Sequence, residues 1–240
     1  MVNKNIAIVV GASGSLGYEL TCEYLKNNYI VYAIYNSHEI DLESDNLYKF
    51  KYDLEKETEY IDLKNKLESE SDSNTKISIV YAAGVHSRNY IENYYEEEYI
   101  KNMRINTTGF IYIFKNIVDT IKKVQSSNIV LIGTNLLSRK NRGGLYYVMS
   151  KGMQKELVKQ IAYEYGEYNI LINQLSPGMF LSNMNASMDK EKIKNIENNI
   201  PIKRIGNAKE LANFIVNFTE TNTLITGVEI TLDGGNTIGY

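Results

Sequence analysis

What the chain lacks narrows its chemistry first. A single cysteine, Cys22, among 240 residues excludes an intramolecular disulfide and fits a reducing compartment. It falls in a predicted helix and reads as a packing residue rather than a nucleophile. The two histidines, His38 and His86, have no metal-ligand spacing to any partner, so neither a metal site nor a Ser-His-Asp triad is expected. Positive charge is not in surplus: 26 Lys and Arg face 29 Asp and Glu, for a formal net charge of −3. A nucleic-acid partner needs the reverse balance on one face, so none is expected. Apolar runs such as Ile129 to Ile132 fall far short of bilayer length, and Met1 to Asn5 lead into a strand-like segment without a signal-peptide core. The expectation is a cytoplasmic protein with no membrane segment.

What is present is an alternation. Strand-like runs rich in Val and Ile occur at Asn5–Val10, Tyr29–Tyr35, Leu47–Tyr52, Ile77–Ala82, Asn128–Gly133, Asn169–Leu175 and Val228–Leu232. Helix-period stretches separate them: Leu16–Asn27, Thr58–Glu70, two helices within Tyr94–Val124, Tyr146–Tyr165 and Lys209–Phe218. Short apolar strands joined by helices imply parallel pairing with crossover connections. The predicted fold is α/β: one Rossmann-like doubly wound parallel sheet of about seven strands, with helices on both faces. No repeat or linker interrupts it, so residues 1–240 are expected to form one domain.

The first strand runs into Gly11-Ala12-Ser13-Gly14-Ser15-Leu16-Gly17, which opens the first helix. Small residues there let the backbone approach a pyrophosphate, and the helix N-terminus offers N–H groups and a positive dipole end. The structural alternative is a tight strand-to-helix turn. A carboxylate after the second strand would mark a free ribose 2′-hydroxyl, but Tyr35-Asn36-Ser37 stands there. Asn36 and Ser37 can donate to a 2′-phosphate, which favours NADP over NAD unless Glu39 or Asp41 folds back onto the ribose.

Tyr147 and Lys151 lie at i and i+4, on one helix face. An ammonium about 4–6 Å from a phenol would depress its pKa and make it a usable general acid or base. Tyr52/Lys56 and Tyr60/Lys64 share the spacing, but sit around a charged segment and read as solvated surface pairs.

The wider pattern resembles the short-chain dehydrogenase/reductases, most closely the 3-oxoacyl-[acyl-carrier-protein] reductase branch, over almost the whole length. Thr134, thirteen residues before Tyr147, stands where the family usually has its catalytic serine, and Asn106 matches the family's helix asparagine. Tyr81-Ala82-Ala83-Gly84 matches the Asn-Asn-Ala-Gly turn, and Asp53-Leu54 the adenine-contacting pair. Pro177-Gly178, Phe180 and Ser182 match the turn beside the nicotinamide, and Asp233-Gly234-Gly235 follows the family's C-terminal pattern. The resemblance implies hydride transfer, with Tyr147 protonating the forming alkoxide and Lys151 holding the ribose. It further implies Thr134 bonding the substrate oxygen and Asn106 anchoring a relay water.

The substrate stays open. Two positions where carrier-protein reductases have docking arginines are Gln125 and Tyr168 here, so a polyketide-like intermediate, a sugar-derived ketone or another secondary alcohol/ketone pair competes with a 3-oxoacyl thioester. A non-catalytic NADP-binding sensor or scaffold is the alternative from another class, and an isomerase or dehydratase a third. His86 reads as a surface-loop residue rather than a cleft residue. Tyr90, Tyr94, Tyr95 and Tyr99 read as helix packing or subunit contact, and Asn183–Asn199 as a mobile substrate lid. A homo-oligomer, tetramer or dimer, is expected by resemblance.

Overall fold

A computed structural model describes residues 4–140, 142–181 and 188–238. Seven parallel strands form the central sheet: β1 (Asn5–Val10), β2 (Ile30–Tyr35), β3 (Leu47–Lys51), β4 (Lys76–Tyr81), β5 (Ser126–Ile132), β6 (Ile170–Pro177) and, near the C-terminus, β9 (Glu229–Leu232). Their order is β3-β2-β1-β4-β5-β6-β9, so the chain winds outward from β1 in one direction and then, from β4, in the other. Loops on the two sides of the β1/β4 junction part there, leaving a crevice beyond the strands' carboxyl ends. The central strands carry no exposed face. Val10, Tyr81 and Leu131 stand in register and are buried.

Two apolar layers enclose the sheet. One packs α2 (Ile61–Glu70) and α4 (Gly109–Ile121) through Leu63, Leu67, Phe110 and Ile113. The other packs α1 (Ser15–Lys26) and α7 (Ala208–Thr221) through Leu16, Leu20, Leu211 and Ile215. α5 (Leu145–Tyr165) runs beside β6 and carries the Tyr–Lys pair. A two-residue pair, β7 (Phe180–Leu181) with β8 (Gly206–Asn207), sits beyond β6, and α6 (Lys190–Asn199) lies between its strands in sequence. No helix among the described residues is long and apolar enough to cross a membrane.

Three local expectations change. α2 starts at Ile61 rather than Thr58, because Tyr60 adopts the left-handed conformation at φ 45° and caps the helix. Tyr60 is no surface residue: it is buried, its ring centroid lies 4.6 Å from that of half-buried Tyr52, and burial pushes its phenol pKa up to about 12. The tyrosines expected on one helix lie largely before it, since α3 spans Glu96–Met103. Tyr94 and Tyr99 instead pack edge-on against the fully buried Tyr146, at 5.7 and 6.0 Å between centroids.

Candidate active site

Glycine geometry builds one end of the crevice. Gly11 has φ +84°, and a Cβ there would lie 2.7 Å from the Ala83 backbone nitrogen. At Gly17 a Cβ would meet the Gly11 carbonyl oxygen at 2.1 Å. The loop therefore closes on itself and on the strand beside it only with glycine at both places. The N-cap of α1 is Gly14, which brings no side-chain cap. Such a helix start offers its dipole and first-turn N–H groups to an anion, and the exposed Ser13 and Gly14 leave the approach open. These features fit the pyrophosphate of a dinucleotide.

A continuous cleft of about 1010 Å³ extends from this loop across the sheet edge. Gly11, Ser13, Ser15, Leu16 and Gly17 line its first wall, with Asn36 and Ser37 at the end of β2. Asp53 and Leu54 follow β3; Asp53 accepts from the Glu55 N–H at 3.0 Å and pairs with Lys56 at 3.3 Å. Ala82, Ala83 and Gly84 follow β4, and Pro177, Gly178 and Phe180 follow β6. Ser182 and the start of the expected lid, 183–187, lie outside the described residues. Glu39 does not fold back into the cleft: Tyr35 donates to it at 3.1 Å and Lys49 pairs with it at 3.1 Å. Asp41 is likewise absent from the lining.

The other end gathers the reactive groups. Tyr147, Lys151 and Thr134 all line the cleft, with the Lys151 ammonium 6.0 Å from the Tyr147 ring centroid. Lys151 is buried and donates to the Ile132 carbonyl oxygen. Burial pulls its pKa down to about 7. The depressed phenol expected beside it is not found: burial raises the Tyr147 pKa, and a hydrogen bond with Thr134 offsets only part of that. The reason is reciprocal, because a dehydrated site disfavours phenolate and ammonium alike, and a half-discharged lysine attracts little.

Asn106 differs from expectation as well. It sits in a π-helical turn, Arg104–Thr108, fully buried and behind the cleft wall. Its amide is committed: Oδ1 accepts from Val85 N–H at 2.7 Å, while Nδ2 donates to Val85 O at 3.0 Å and Ser150 Oγ at 2.8 Å. Its main-chain oxygen accepts from Gln154 Nε2 at 2.8 Å. Asn106 thus fixes the segment before His86 and the helical turn before Lys151. Tyr81 points away from the cleft, donating to the Ile105 carbonyl at 2.5 Å over Gly109, where a Cβ would come within 2.6 Å of the phenol oxygen.

His86 is a cleft residue, contrary to the surface-loop reading. It is exposed at the mouth, its ring centroid 4.8 Å from that of Tyr147, and its pKa is lowered, first by burial and also by Arg88. Other lining residues escaped the sequence reading: Asn135, Arg139, Lys140 and Asn236. Arg139 and Lys140 fall inside the Thr134-to-Tyr147 interval, a position that could have flagged them. Lys192 and Ile196, one helical turn apart in α6, also line the cleft and fall within the stretch expected as a lid.

Comparison with known proteins gives a consistent picture. A family model described as Enoyl-(Acyl carrier protein) reductase matches residues 11–237. A 3-oxoacyl-[acyl-carrier-protein] reductase of Buchnera aphidicola is 29% identical, over 98% of either chain. A 3alpha-hydroxysteroid dehydrogenase of Mediterraneibacter gnavus is 24% identical, over 98% of this chain and 97% of its own. Among solved structures, ligand-free aldohexose dehydrogenase of Thermoplasma acidophilum superposes with a TM-score of 0.86 at 22% identity, covering 99% of this chain and 96% of the other. The three act, by name, on different kinds of molecule.

Proposed function

Since the chain belongs to the short-chain dehydrogenase/reductase family of NAD(P)-dependent oxidoreductases, we propose that it reduces a ketone to a secondary alcohol with NADPH. The observation that carries this is the meeting of Tyr147, Lys151 and Thr134 at the end of the cleft away from the glycine loop. When bound, the nicotinamide supplies the hydride. Thr134 and Tyr147 hold the carbonyl oxygen between two hydroxyls. Tyr147, its phenol kept protonated by burial, gives its proton as charge develops there. Lys151 hydrogen-bonds the ribose and restores the tyrosine's proton, a task suited to an amine with a pKa of about 7. Asn106 acts behind the wall, positioning Val85 and Ser150.

NADPH rather than NADH is favoured by Asn36 and Ser37 at the cleft edge, with Glu39 tied to Lys49 and Tyr35. A small ketone is favoured over a carrier-bound thioester, because Gln125 and Tyr168 offer no guanidinium to an anionic carrier helix. We also propose self-association through α4 and α5, where Ile111, Met149 and Met153 stay exposed.

The test is NADPH oxidation with a ketone panel. Tyr147→Phe is expected to cut turnover by at least ~10²-fold, the contribution of a positioned proton donor, while NADPH still binds. Retained turnover would reject the assignment. NADPH should exceed NADH in kcat/KM by at least ~10-fold, about 1.4 kcal/mol, and Asn36→Asp should narrow that gap.

A further inference from the structure

Tyr147 has a neighbour that the proposed chemistry does not use. The His86 ring lies edge-on against the phenol ring, with centroids 4.8 Å apart and planes at 69°, and both side chains line the cleft. Among the described residues it is the one ring in contact with Tyr147. We infer that His86 is a specificity-determining residue, a wall that limits the bulk of the substituent carried by the ketone. This deepens the carbonyl-reductase reading and rests on it. The phenol oxygen is fixed to the ring that His86 touches, so a carbonyl held there brings its substituents within a few carbons of the imidazole. Burial lowers the imidazole pKa, so at neutral pH the wall meets its substrate uncharged.

A wall selects by size only if it cannot swing aside, and the backbone is tied on both sides of His86. Before it, Asn106 takes both main-chain groups of Val85, at 2.7 and 3.0 Å. After it, Ser87 Oγ accepts from Asn102 Nδ2 at 2.7 Å. Asn102 and Asn106 are fully buried and four residues apart, so they grip alternate residues of the segment. Asn89 then donates its N–H to the Gly143 carbonyl at 2.9 Å and bridges to Gly144, the N-cap of α5. Gly143 allows this approach with φ +75°, where a Cβ would lie 2.7 Å from Arg88 Cγ. The same elements hold Tyr147: α5 carries it, and Asn106 donates to Ser150 Oγ, which donates to the Tyr147 carbonyl at 2.8 Å. Imidazole and phenol therefore share one frame, as a preorganised site requires.

Butan-2-one, 3-methylbutan-2-one, 3,3-dimethylbutan-2-one and acetophenone share one methyl group and differ in the bulk on the other side. For each, kcat/KM in NADPH oxidation is measured for the native chain and for His86→Ala, and the variant-to-native ratio is taken, in which the ketone's own reactivity cancels. His86 is exposed, so alanine there leaves the fold in place. The ratio should climb with bulk, by about tenfold from the smallest ketone to the largest, the scale on which a pocket wall discriminates. His86→Phe rebuilds a ring and should hold the ratio level. A ratio in His86→Ala that stays flat or falls with bulk overturns the proposal, whatever the absolute rates. So does a His86→Phe series that climbs like the alanine one, which traces the effect to the imidazole nitrogens. If NADPH binds but neither protein turns over any ketone, the reductase reading fails. Calorimetric titration of the NADP-loaded proteins with acetophenone then decides the wall: tighter binding to His86→Ala supports it, and equal, weaker or absent binding refutes it.

Discussion

The buried Lys151 ammonium donates to a main-chain carbonyl oxygen, and burying it there has a calculable cost. Its pKa falls from 10.5 unfolded to about 7 folded. Above 10.5 both states hold a neutral amine and there is no penalty. As pH drops through that window the unfolded chain takes up the proton first, so the penalty grows and is complete below 7. At ~1.36 kcal/mol per unit the full value is roughly 5 kcal/mol. Lys151→Met is therefore expected to melt higher than the native chain at neutral pH, with the advantage fading toward pH 10. Thermal melts across that range check it, and a constant difference would place the lysine in contact with water. The sign is typical of a site where stability is surrendered to keep a dry amine in place.

Elements differ in how clearly they announce themselves. β1 matches its expected bounds and the other sheet strands shift by a residue or two at their ends, because Val- and Ile-rich runs with helices between them leave one arrangement open. The glycine loop and the Tyr–Lys turn were legible for the same reason, since local geometry sets their spacing. α6 gave no periodic signal because it buries none of its residues. The π-helical turn was equally silent. It exists through partners distant in sequence, with Asn106 bonded to Val85 and Gln154, and Gln154 in turn to Gln174 at 3.0 Å. Tyr60 was misread as exposed, and His86 as standing away from the cleft, because a residue's neighbours across the fold, not along the chain, decide its surroundings. The amide chain from β6 through α5 to the turn yields its own prediction. Gln154→Leu removes the donor to Asn106 and strands buried polar atoms, at roughly 1–3 kcal/mol. A drop of about 2–10 °C in calorimetric Tm should follow, and an unchanged Tm would show that the amides do not act together.

At the scale of the molecule, α4 and α5 present the largest question of assembly. Thr107, Ile111, Met153 and Leu157 line a shallow hollow between them, and Met149 is 48% exposed nearby. If copies meet there, light scattering coupled to size-exclusion chromatography should give a multiple of 27.4 kDa, and Ile111→Glu with Met153→Glu should return the monomer mass. A native monomer would refute the contact. The ring of phenols around the cleft carries a separate consequence. The chain has 20 tyrosines and no tryptophan, and Tyr35, Tyr52 and Tyr147 border the cavity. Ultraviolet emission from this protein is phenol light alone, in the band a reduced nicotinamide absorbs. Docking of that ring should dim the phenols and brighten the nicotinamide, and its oxidation should reverse both, so a fluorimeter can follow occupancy and turnover without any attached dye.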